Sequence, residues 1–143
     1  MQWDGGPNAG FCPINVAPWL PLAADYQQIN MAVEREDARS QLALTRALLS
    51  LRRTKPALHS GSYQTLASQS EHCFAYLREQ GEQRVLIALN FSAEAQVVRI
   101  PEVGQGCLLL STSLDREEQV NLAALALRSY EGCIIELKEA HTS

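Results

Sequence analysis

Arg84-Val85-Leu86-Ile87-Ala88-Leu89-Asn90-Phe91 is the run that decides how this chain folds. Val85, Leu86, Ile87, Ala88 and Leu89 are apolar without a break, too few for a buried helix, and they leave neither face of a strand polar. That pattern predicts a strand covered on both sides, at the centre of a sheet. Immediately upstream, Glu79-Gln80-Gly81-Glu82 supplies a turn glycine and residues 73–78 read as a second strand, so the two are expected to form a hairpin.

Further out, residues 63–67, 96–100, 107–111 and 133–138 have the β-branched, aromatic and leucine content of short strands. Residues 122–127 are weaker, because alanine and leucine suit a helix equally well. Arg99 and Glu136 interrupt their strands and mark faces that meet solvent. Six or seven short strands separated by turn signals predict a mainly β chain, with an antiparallel β-sandwich of Greek-key type over 58–143.

Ahead of the strands the period changes. Ala38, Leu42, Thr45 and Leu49 fall at helical spacing beside Gln41, Leu44, Leu48 and Leu51, which predicts one long helix over 37–54 with Asp37 as its N-cap. Arg52, Arg53 and Lys55 favour the C-terminal end of the helix dipole, and Pro56 is expected to end the run. Residues 1–35 predict an extended arm. Pro7, Pro13, Pro18 and Pro21 remove donors, Gly5, Gly6 and Gly10 mark turns, and Trp3, Phe11, Ile14, Val16, Trp19, Leu20 and Leu22 have no clean period. Such an arm cannot build its own core and is expected to lie on something else.

With 46% hydrophobic residues, the 143-residue chain can bury a core. A net charge of −4 argues against a nucleic-acid partner. Six of the 12 basic residues lie from Arg35 to Lys55, beside Glu34, Glu36 and Asp37, as on a solvated helix face. No apolar run approaches the ~20 residues of a membrane helix, and the N-terminus has no basic segment followed by an apolar one, so a cytoplasmic location with no membrane partner is expected. Cys12, Cys73, Cys107 and Cys133 show neither CxxC nor zinc spacing; they read as buried reduced thiols acting as small apolar groups, with two disulfides as the alternative. No metal site and no cofactor are expected.

Met1-Gln2-Trp3-Asp4, Pro7-Asn8-Ala9-Gly10-Phe11, Pro18-Trp19-Leu20-Pro21 and Ile29-Asn30 closely resemble one segment of the alpha-amylase superfamily, glycoside hydrolase family 13, in its alpha-glucosidase and oligo-1,6-glucosidase branch. Leu48-Leu49-Ser50-Leu51-Arg52-Arg53 with Pro56-Ala57-Leu58 resembles that family's last barrel helix. Gly61-Ser62-Tyr63, Phe74-Ala75-Tyr76-Leu77-Arg78 and Leu89-Asn90-Phe91-Ser92 are similar to its C-terminal β-sandwich. The resemblance implies that 1–57 is the remnant of the last loop and helix of a (β/α)8 barrel, with the catalytic strands lying before Met1. It also implies that no catalytic carboxylate of the family maps onto this sequence.

The residues themselves offer no substitute. Asp4 opens an Asp4-Gly5-Gly6 turn and Asp25 is solvated, so neither forms the closely spaced pair that glycoside hydrolysis requires. His59, His72 and His141 stand beside no nucleophile motif. Asn90-Phe91-Ser92 matches a glycosylation sequon but has a sufficient structural reason as a strand end.

The expected function is a non-catalytic C-terminal region that aids folding and stability and self-associates as a dimer. Trp3 and Trp19 of the arm, with Leu42, Leu44, Leu48, Leu49 and Leu51 of the helix, would form the contact. The alternative is an α-glucan or oligosaccharide-binding module in which Trp3, Trp19, Tyr26 or Tyr63 stacks on sugar rings.

Overall fold

The computed structural model describes residues 1–67, 70–100 and 104–138, so His141 lies outside the described residues. They form two compact units, Met1–Arg46 and Ala47–Ser143. Eight strands and three α-helices occur among them: α1 (Met31–Glu36), α2 (Gln41–Thr54), α3 (Pro56–Ser60), β1 (Ser62–Leu66), β2 (Cys73–Gln80), β3 (Gln83–Asn90), β4 (Gln96–Val98), β5 (Gln105–Ser111), β6 (Gln119–Asn121), β7 (Leu125–Leu127) and β8 (Gly132–Leu137).

In the second unit the β2–β3 hairpin is the organising feature. Gln80 pairs with Gln83 across a two-residue turn, and Gly81 takes φ +57° there, a conformation in which a side chain would be strained. The strands order as β1-β2-β3-β8-β5-β6, all pairs antiparallel. β3 is therefore an interior strand, as its apolar run requires, and Val85, Leu86, Ile87 and Ala88 are buried. β8 is inserted between β3 and β5, the out-of-order neighbour of a Greek key. A second sheet pairs β4 with β7 and covers one face of the first. The sandwich core lies there, built from Ala75, Leu77, Leu86, Ala88, Val98, Ile100, Leu108, Leu122, Leu125, Leu127, Cys133, Ile135 and Leu137.

Two expectations about strands need correction. Residues 122–127 are both things at once: a 3-10 turn at Leu122–Ala124, started by the Asn121 side chain accepting from the Ala123 amide at 2.9 Å, and then β7. β6 was not foreseen, because its three residues carry a single apolar side chain, Val120.

The helical segment also differs from the expected 37–54. Asp37 ends α1 rather than starting α2; its carboxylate accepts from the Arg39 amide at 2.8 Å inside a turn. The cap of α2 is Ser40, whose hydroxyl accepts from the Ala43 amide at 3.1 Å. Glu34 of α1 accepts from the Leu42 amide at 3.0 Å, supplying the second capping acceptor from outside the helix. Pro56 does end α2, since Lys55 before it is extended, but it also begins α3 at the position where a missing amide costs nothing. α3 then meets β1 at Gly61, where a Cβ would collide with the Ala57 and Glu79 carbonyls, so only glycine fits.

The arm of the first unit is folded into turns, not extended. The Trp3 amide donates to the Ala9 carbonyl at 3.0 Å, and the Met31 and Ala32 amides donate to the Gln2 and Trp3 carbonyls at 2.9 and 3.1 Å. Asn8 and Ala9 adopt φ of +56° and +52°. The Asn8 amide bridges the Pro13 and Val16 carbonyls, each at 2.8 Å. Asn30, fully buried, caps α1 and donates to the Tyr26 carbonyl at 2.9 Å. Backbone and asparagine hydrogen bonds thus order the arm, while its aromatic and aliphatic side chains stay outside, as a segment without a core of its own must leave them.

Candidate functional site

Antiparallel pairing places Tyr63 and Thr65 of β1, Phe74, Tyr76 and Arg78 of β2, Ile87 and Leu89 of β3, and Ile134 of β8 on the face of the six-stranded sheet opposite the main core. α3 covers part of this face: Ala57, Val85 and Ile87 form a small buried cluster, with Leu58, Tyr76, Leu89 and Ile134 packed around it. Lys55 secures the start of α3 through both carboxylate oxygens of Glu136 at 2.8 Å. Gln83 extends the link, donating to Glu136 at 3.0 Å and accepting from the Ala57 amide at 2.9 Å. Glu136, expected to face solvent, is thus paired.

What α3 leaves uncovered is a cleft of about 360 Å³, bordered by Leu48 and Arg52 of α2 and floored by Tyr76, Arg78, Ile87 and Leu89. Its walls are mainly aliphatic, with two guanidinium groups at the edge. Burial raises the Tyr76 hydroxyl's pKa, against the opposing charge of Arg78. Arg78 donates to the Gly61 carbonyl at 2.9 Å.

A second cluster, not foreseen from the sequence, is the buried carboxylate of Glu131 at the entry to β8. It accepts from the Ser111 hydroxyl at 2.5 Å, from Arg128 side chain and amide at 2.7 and 2.8 Å, and from Arg116 at 2.9 Å. Arg128 also holds Asp115 through two 2.7 Å bonds. Burial alone would raise the Glu131 pKa, but the bonds from Arg128 and Ser111, with the charge of Arg116, outweigh it and bring the carboxyl down to about 2. The neighbouring Cys133 thiol is pushed up to about 11, by burial first and then by the Glu131 charge. A carboxylate held this low is a poor proton donor, and a thiol held this high is a poor nucleophile. The cluster ties β5, β8 and the loops beside them together.

It has a measurable pH signature. The folded pKa of Glu131, about 2, lies below its ordinary value of 4.5, so its contribution is complete above about pH 4.5 and is lost as the pH falls through 2. Roughly 3 kcal/mol is at stake. Urea midpoints followed from neutral pH to about pH 2 should fall accordingly, and Glu131→Gln should flatten the decline.

The expected sugar-stacking residues fall in both units. Trp19 is 91% exposed and borders a cleft of about 570 Å³ with Met1, Phe11, Pro18 and Leu20. Trp3 is exposed and Tyr26 half-buried. Tyr63 lies on the sheet in the other unit. No side chain of α2 is buried: Leu42, Leu44 and Leu51 are half-buried, and Leu48 and Leu49 are exposed. The Asp4 carboxylate accepts from the Gly6 amide at 2.8 Å, the turn role expected of it. His59 and His72 are exposed, and His72 has Glu71 at 3.9 Å.

Asn90 is buried, its amide donating to the Glu94 and Arg128 carbonyls at 2.7 and 2.8 Å, so the sequon nitrogen is committed to the turn. None of the four cysteines is in a disulfide; Cys73 and Cys133 are buried, but Cys12 and Cys107 are only half-buried. Among the described residues no group of three or more His, Cys, Asp or Glu could hold a metal ion, and no helix is long and apolar enough to cross a membrane.

Two family models match in sequence order: the alpha amylase catalytic domain over residues 1–61 and the maltogenic amylase C-terminal domain over residues 63–134. The chain is 28% identical over 140 residues to the oligo-1,6-glucosidase of Parageobacillus thermoglucosidasius, covering 96% of this chain and 25% of that protein. It is 38% identical over 96 residues to the trehalose-6-phosphate hydrolase of Escherichia coli K12, covering 67% of this chain and 17% of that protein. Among solved structures, the trehalulose synthase MutB of Pseudomonas mesoacidophila MX-45 superposes with a TM-score of 0.84 and 32% identity, over 96% of this chain and 24% of that one. The chain spans about a quarter of the length of such relatives. The order of the two matched domains, the β-sandwich and the likeness along nearly all of its residues show that this chain belongs to the alpha-amylase superfamily, glycoside hydrolase family 13.

Proposed function

We propose that these residues are the non-catalytic C-terminal region of an alpha-glucosidase-like glycoside hydrolase, working in the cytoplasm as a folding, stabilising and self-association module. In this reading 1–57 is the barrel-derived part and 58–143 the sandwich domain. Glycoside hydrolysis needs one carboxyl raised to act as an acid and a second beside it, about 5–9 Å away. Asp4 is committed to a turn and Glu131 is driven in the opposite direction, so neither serves.

The observation that carries the self-association reading is α2. An amphipathic helix of 14 residues ordinarily buries its apolar stripe, yet α2 buries no side chain. Leu48 and Leu49 are exposed, as are Trp3, Phe11, Trp19 and Leu20 of the arm. Covering these surfaces between two copies removes them from water, and light scattering at micromolar concentration should give twice the 15.8 kDa of one chain. A clean monomer contradicts the proposal.

A second reading, binding of an α-glucan or oligosaccharide, is favoured by the exposed aromatics and by the kind of substrate that the relatives' names carry.

A further inference from the structure

The sheet brings together an aromatic strip that is not the set expected from the sequence. Tyr63 stands opposite Arg78 and Thr65 opposite Tyr76, which sets Tyr63 diagonal to Tyr76, with ring centroids 5.2 Å apart. Phe74 lies two residues before Tyr76 on the same face, at 5.7 Å. The three rings run obliquely across β1, the edge strand on that side of the sheet, and its neighbour β2. Tyr63 is 57% exposed and Phe74 38%. Aromatic side chains exposed on a sheet face are costly in water unless something covers them.

Polar groups flank the strip. The Thr65 hydroxyl lies 3.1 Å from the Tyr63 hydroxyl, and Arg78 and Thr112 border the cleft into which Tyr76 leads. Rings in a row with hydroxyl and guanidinium groups alongside suit a ligand with an apolar C–H face and a rim of hydroxyls. An aliphatic helix offers no hydroxyls for that rim, and an anion offers no face for the rings.

The geometry points to Tyr63, Tyr76 and Phe74 as a platform for an α-glucan oligosaccharide, distinct from the arm and its tryptophans. This rests on the second reading above. It places the contact on the sandwich domain, with successive sugar rings over Tyr63 and Phe74 and hydroxyls directed to Thr65 and Arg78.

Titration of the full 143-residue chain with maltoheptaose, backed by electrophoresis through gels containing soluble starch, tests it. Binding should be weakened roughly fivefold or more by Tyr63→Ala and by Phe74→Ala. Tyr63→Phe, which keeps the ring, should retain most of it, and Trp19→Ala should leave it unchanged. Because Tyr63 is on an exposed edge, Tyr63→Ala should keep its thermal unfolding transition, so lost binding is not lost folding. Binding that vanishes with Trp19→Ala and ignores Tyr63→Ala and Phe74→Ala overturns the platform while leaving a sugar-binding arm. No binding up to roughly millimolar ligand overturns both.

Discussion

Glu131→Ala should destabilise the sandwich by about 3 kcal/mol. The side chain is fully buried and receives bonds from Ser111, Arg116 and Arg128. Removing it takes the acceptor from the buried Ser111 hydroxyl and leaves Arg116 and Arg128 with only their outer carboxylates, Glu118 and Asp115. The loss falls at the low end of the range for broken buried pairs, because Arg128 is about half exposed and can turn to water. Urea unfolding should show the midpoint falling with an unchanged slope. Arg128→Ala should cost less, since Arg116 still faces the carboxylate. A Glu131→Ala protein as stable as the parent would mean that the cluster is ornamental.

Leu48→Asp should weaken self-association by roughly a hundredfold or more, as expected when a charge is placed in the apolar centre of an interface. Leu48 is 38% exposed on α2, outside the main sandwich core. The same substitution should therefore change the unfolding free energy by no more than about 0.5 kcal/mol, the usual range for surface sites. Light scattering across a dilution series reads the first effect and urea unfolding the second. Equal losses in both would show that the leucine supports the fold rather than the contact.

The fold was legible where local pattern and tertiary environment agree. Val85 to Leu89 announced an interior strand because continuous apolarity has one efficient solution in a short segment, and Gly81 announced its hairpin because the turn demands a positive φ. The helix boundaries were less legible. Pro56 both stops one helix and starts another, and nothing local says which role applies. Asp37 and Ser40 are both good caps, and the choice rests on Glu34, which reaches the Leu42 amide only once α1 has formed.

The clusters were least legible, because they depend on register. Glu131 gathers Ser111, Arg116 and Arg128 from β5 and its neighbouring loops; the only local signal was a lone acid at the entrance to the apolar Gly132-Cys133-Ile134-Ile135. Tyr63 could be singled out as an aromatic, but its partners Tyr76 and Phe74 follow only from the β1–β2 pairing. The arm was misread as extended because its order comes from Asn8 and Asn30 bonding to backbone carbonyls, which leaves no hydrophobic period.

These residues belong to a hydrolase family, and we propose that they do no hydrolysis themselves. The direct measurement is incubation of the pure 143-residue chain with maltose, isomaltose and a nitrophenyl α-glucoside, following released glucose and nitrophenol. No turnover above the blank is expected with any of the three. Turnover well above the blank, surviving repurification and scaling with the concentration of the chain, would contradict it.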